Sequence, residues 1–150
     1  MHLKGTHHFQ TNAKQLYDLL LDADVLARIT PGISRLEKEG EDQYKAIAEV
    51  KMGPVKGTFK GELDVVDKVP EKGFTLKITQ KSKIGNVSAD VVIQLKELSP
   101  QETELAFDGK AKLSGLLART GQRVLSGVAN TLSKQFFSAL EEEINAQETT

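Results

Sequence analysis

The chain has 150 residues, of which 39% are hydrophobic and 27% charged, enough for one globular domain with a substantial core. A formal net charge of -1 shows no basic excess, so a nucleic-acid partner is not expected. Cysteine is absent, which excludes disulfides, thiolate nucleophiles and Cys-ligated metal centres and suits a cytoplasmic protein.

The first residues, Met1 to Thr6, contain no apolar stretch of signal-peptide length. No run approaches the ~20 apolar residues of a membrane span, so the expected membrane contact is at most peripheral. Residues 2–9 alternate, with Leu3, Gly5, His7 and Phe9 on one side, and predict a strand with one buried face. Asn12 and Gln15 then have the spacing of a capping box. Leu16, Leu19, Leu20, Val25, Leu26 and Ile29 recur at helical spacing, with a break predicted near Asp22 to Asp24 and a stop at Pro31-Gly32.

Six strands follow, predicted at about 33–40, 43–52, 54–68, 73–83, 86–98 and 102–113. The links between them are short, which favours antiparallel hairpins. Ser114 is the expected N-cap of a final helix over about 115–144, with a bend expected in its glycine-containing first half and a loose polar tail from about residue 146. The predicted fold is therefore α+β: a curved antiparallel seven-stranded sheet wrapped around a long C-terminal helix, the helix-grip architecture, in one domain.

The inward rows carry the functional signal. Tyr44, Ala46 and Ala48 share one face of their strand, as do Phe59 and Gly61, Ala89 and Val91, and Phe107 and Gly109. The middles of these rows are small, so the apolar floor is low. The roof is the helix stripe of Leu117, Gly121, Val124, Val128, Leu132 and Phe136. Two outcomes stay open. The helix can settle onto the small residues, or the two surfaces can enclose a cavity. An unfilled rigid void of ~300 Å³ would cost ~7 kcal/mol, a large share of a domain's stability, so a cavity would be filled by water or a ligand.

Side-chain chemistry is sparse. His7 and His8 point to opposite faces of a strand and cannot share a metal ion, and no metal site is expected. His7 lies on the inward row, either as a polar anchor in the cavity or as a core histidine. The segment Gly53-Pro54-Val55-Lys56-Gly57-Thr58 has neither the spacing nor the following helix of a phosphate loop. Glu141-Glu142-Glu143 reads as a solvated face. No nucleophile is paired with a base, so neither catalytic residues nor a cofactor are expected.

Pro31-Gly32, the run Gly53-Pro54-Val55-Lys56-Gly57 into Phe59 and Gly61, and Gly115-Leu116-Leu117-Ala118, Gly121-Gln122-Arg123 and Gln135-Phe136-Phe137 keep their order along the chain. In these motifs the chain resembles the carbon monoxide dehydrogenase G-subunit family of the START-like, Bet v 1-like superfamily. The resemblance implies a cavity between sheet and C-terminal helix that binds a hydrophobic small molecule, lipid or quinone-like. It also implies an accessory role beside a molybdenum-containing dehydrogenase, at the inner face of the membrane. Some members continue into a linker and an apolar anchor. This sequence stops at Thr150 without one, so peripheral contact is expected rather than stable anchoring. The alternative is an assembly or recruitment factor acting through protein contacts alone.

Overall fold

The computed structural model describes residues 1–148. Among these residues the elements are β1 (His2–Phe9), α1 (Ala13–Leu20), α2 (Ala23–Ile29), β2 (Ile33–Gly40), β3 (Gln43–Met52), β4 (Val55–Val69), β5 (Gly73–Ser82), β6 (Gly85–Ser99), β7 (Glu102–Leu113), α3 (Gly115–Arg119) and α4 (Gln122–Glu148). The seven strands form one sheet in the order β1-β7-β6-β5-β4-β3-β2, and every neighbouring pair is antiparallel. Strands β2 to β7 are a meander joined by tight turns. β1 and β2 lie at opposite edges, so the α1–α2 pair carries the chain across the sheet. This is the α+β helix-grip arrangement.

Local chemistry sets the helix starts. Asn12 Oδ1 accepts from the Gln15 amide at 2.8 Å and caps α1. The capping box does not close, because Gln15 Oε1 instead accepts from the Thr11 hydroxyl at 2.6 Å. Asp22 ends the first helix region and caps α2, accepting from the amides of Asp24 and Val25. Ser114 precedes α3 but makes no side-chain cap, since its Oγ accepts from the Asn86 amide at 3.0 Å.

The expected single C-terminal helix is divided. Gly121 adopts φ of +103°, a conformation that L side chains rarely take, and this separates α3 from α4. At the other end the helix runs on through Gln147 and Glu148, where the polar sequence predicts a loose tail. Thr149 and Thr150 lie outside the described residues.

The core has two clusters. The larger gathers Phe9, Leu16, Leu20, Val25, Ile29, Phe74, Ile93 and Leu105 around Leu140 and Ile144 of α4. The smaller joins Val55 and Phe59 to Leu117 of α3 and Leu125 of α4. The long helix is thus held near both ends, and its middle spans the sheet between the clusters. Two side-chain contacts fix the distal end: Arg28 of α2 pairs with Glu143 Oε1, and His7 Nε2 of β1 meets Glu141 Oε1, each at 2.5 Å. The acidic run that reads as a solvated face therefore ties α4 to its neighbours at both of these positions.

Candidate functional site

Between the two clusters, beneath the middle of α4, lies a cavity of about 530 Å³. Strand alternation builds its floor. Ala46 and Ala48 of β3, Phe59 of β4, Ile78 and Gln80 of β5, Val91 of β6, and Phe107 and Ala111 of β7 all point to one side. Leu117, Leu125, Val128, Leu132 and Phe136 form the roof, and Leu26, Pro31 and Ile33 close one flank. The walls contain no Asp, Glu, His, Lys or Arg; the polar side chains among them are Thr30, Gln80 and Ser133. The shape follows from residue size, because floor positions with Ala leave α4 bridging a gap that larger side chains would fill.

Of the residues predicted from sequence to line a site, the structure puts Ala46, Ala48, Phe59, Val91, Phe107, Leu117, Val128, Leu132 and Phe136 on the cavity wall. The others lie elsewhere, each for a definable reason. Tyr44 is 5% exposed and packs into the larger cluster, where burial and then nearby Asp42 push its phenol pKa up. His7 stacks on Phe137, with ring centroids 5.1 Å apart, and turns its Nε2 to Glu141. Ala89 sits in the ladder between Ile78 and Ala111, which line the cavity in its place. Gly109 is covered by Val91, whose Cγ2 would lie 3.5 Å from a Cβ on residue 109.

Gly61 serves the sheet rather than the floor. A Cβ there would stand 1.8 Å from the Thr79 carbonyl oxygen, so glycine is required by the close approach of β4 and β5. Gly121 forms the helix break. That break also resets the helical phase, which leaves Val124 41% exposed while Leu125 turns inward. Sequence reasoning missed Gln80. The signal was present in the alternation Phe74, Leu76, Ile78, Gln80, in which a polar residue occupies an inward step of β5.

The histidines outside the cavity pair with carboxylates. His2 meets Asp108, and His8 lies 3.0 Å from both Glu102 and Glu104. Among the described residues no group of three metal-ligating side chains comes together, and no helix is long and apolar enough to cross a membrane.

A sheet gripping a long C-terminal helix over an apolar cavity defines the START-like class of domains. A START superfamily protein from Mycobacterium smegmatis shares this fold, with TM-score 0.74, 12% identity, and coverage of 97% of this chain and 98% of that one. Residues 5–145 match the model of the carbon monoxide dehydrogenase G-subunit (CoxG) family, and the chain belongs to that family. A conserved protein from Geobacillus kaustophilus is similar over 97% of this chain and 96% of its own, with 29% identity and TM-score 0.94. An aromatase/cyclase from Streptomyces sp. R1128 is similar in fold at TM-score 0.70 and 16% identity, covering 95% of this chain and 92% of its own. No curated protein sequence matches the chain significantly.

Proposed function

We propose that this domain is a non-catalytic carrier that encloses a hydrophobic small molecule, lipid or quinone-like, between its sheet and α4. The observation that carries the reading is the cavity of about 530 Å³ with almost wholly apolar walls. That volume is within the ~300–1,000 Å³ of small-molecule sites. Left unfilled and rigid, a void of this size would cost about 13 kcal/mol at ~24 cal/mol per Å³. Domain stability is only about 5–15 kcal/mol, so the space holds water or a ligand, or α4 collapses onto the floor. Small floor residues and a roof held at both ends favour an occupant. The walls supply no carboxylate, imidazole or amine side chain to move a proton, which supports binding over catalysis. Family membership supports service beside a carbon monoxide dehydrogenase or a related molybdenum hydroxylase.

Native mass spectrometry of protein purified from its own cells tests this reading. A co-purifying lipophilic species is expected. Its absence, together with failure to bind the neutral dye N-phenyl-1-naphthylamine, would rule the carrier reading out.

A second reading, recruitment to a surface, is favoured by the α3–α4 corner. Leu116 and Val124 are 56% and 41% exposed there, beside exposed Arg119 and Arg123. Apolar side chains flanked by cations suit the interface of an anionic lipid membrane. Co-sedimentation with phosphatidylglycerol vesicles that is lost in Leu116→Ser/Val124→Ser would support it. Equal recovery with and without vesicles would exclude it.

A further inference from the structure

Gln80 interrupts an apolar row. The inward positions of β5 run Phe74, Leu76, Ile78 and Gln80, and all of them line the cavity. Across the ladders Gln80 is flanked by Gly61 on β4 and Val87 on β6, and neither has a side chain that can hydrogen-bond. Gln80 Oε1 is buried without a hydrogen-bond partner, and it is the one such side-chain atom among the described residues. Buried polar atoms are normally paired, because an unpaired one forfeits its hydration for nothing. A methionine or leucine would fill this position without that cost. Oε1 itself has almost no accessible surface, so a ligand in the cavity meets it only when the carboxamide plane rotates, which exchanges its donor and acceptor.

We propose that Gln80 is the polar anchor of the cavity, which makes the preferred ligand an apolar molecule with one hydrogen-bonding head, hydroxyl or carbonyl, seated against the Gln80 carboxamide. This inference rests on the carrier reading above and adds the chemistry of the ligand's head. The apolar body of the ligand occupies the remaining space under α4, where Val128, Leu132 and Phe136 face the floor. A hydrocarbon without a polar head would leave Gln80 unpaired, so the same residue discriminates between ligands of equal size.

The test uses 4-octylphenol and 4-octyltoluene, which differ by a hydroxyl in place of a methyl group. Each competes with N-phenyl-1-naphthylamine for wild type, Gln80→Met and Gln80→Leu. The ratio of phenol to toluene affinity is expected to fall about tenfold in both variants. The hydration of the free probes cancels in this cycle. The melting temperature of Gln80→Met, which keeps the length of the side chain, is expected at or above that of wild type, and this checks the fold. If both probes bind and the ratio is unchanged in the folded variants, Gln80 is not the anchor, while the carrier reading stands. If neither probe displaces the dye from wild type, this inference falls, while the carrier reading is decided by the dye itself and by the co-purifying species.

Discussion

Gly61 and Thr79 approach so closely that a Cβ on residue 61 would lie 1.8 Å from the Thr79 carbonyl oxygen. The contact forms where β4 folds against β5, beside Gln80 and below the cavity. Gly57, two inward steps earlier on the same strand, has ordinary space, with Ile84 Cδ1 3.6 Å from the corresponding position. Gly61→Ala is therefore expected to lower stability by about 3 kcal/mol, through forced separation of the strands. Gly57→Ala is expected to be neutral or to add up to about 1 kcal/mol, since it restricts the unfolded chain. Urea unfolding of both variants checks the contrast, and equal losses would contradict it.

The cavity divides the helix residues into two energetic classes. Leu140 is fully buried in the larger cluster, whereas Leu132 faces the cavity. Leu140→Ala should cost about 2–5 kcal/mol, because it opens a new void in close-packed surroundings. Leu132→Ala should cost under about 1.5 kcal/mol in ligand-free protein, because part of its surface already faces open space. Comparable losses in chemical denaturation would mean that α4 lies flat on the floor.

Filling the cavity should separate binding from folding. Ala48→Leu directs three further carbons into the space between floor and roof. The expected result is a fall of roughly tenfold or more in affinity for N-phenyl-1-naphthylamine, as each displaced CH₂ is worth about 0.8 kcal/mol. Stability should hold or rise. A folded Ala48→Leu protein with undiminished dye binding would place the dye elsewhere.

The clasp between α2 and α4 should show in the pH dependence of stability. The hydrogen bond from Arg28 holds the Glu143 carboxyl below its ordinary value of 4.5. A carboxyl whose pKa is depressed in the folded state stabilises above its unfolded pKa and loses that contribution as pH falls through the folded pKa. Glu143→Gln is therefore expected to melt below wild type at pH 7. The gap should close progressively as the pH drops below 4.5. A gap of the same size at pH 3 would mean that the charge on Glu143 does not act through this pair.

Much of the architecture was legible from local patterns. Strand alternation in β3, β4, β6 and β7 identified the inward face, because period two leaves no other choice once one side is apolar. Asn12 and Asp22 marked helix starts, because a short acceptor side chain before an apolar periodic run has few other uses. The family resemblance carried by Pro31-Gly32, Gly53-Pro54 and the C-terminal motifs holds over residues 5–145. The misreadings share one cause. Gly61 and Gly109 looked like the same device, a missing side chain in a low floor. One is enforced by a backbone oxygen from another strand and the other lies under Val91, and neither neighbour is adjacent in sequence. Glu141 and Glu142 are exposed as expected, but Glu143 is largely covered, because its partner Arg28 is 115 residues away in sequence.

The sequence by itself determined which face of β1, β3, β4, β6 and β7 is buried and that few ionisable groups reach it, since both follow from residue order and the fixed period of a strand. It also determined that the strands form hairpins, because the links are too short for anything else. Only the tertiary structure decided how far α4 stands above that face. Its height is set by packing at two distant points, Leu125 in the cluster that holds Phe59 and Leu140 in the cluster that holds Phe9, and by a break at Gly121 that leaves Val124 exposed and Leu125 buried. The cavity is the space left between those supports, and Gln80 Oε1, on a residue of its wall, is buried there without a hydrogen-bond partner.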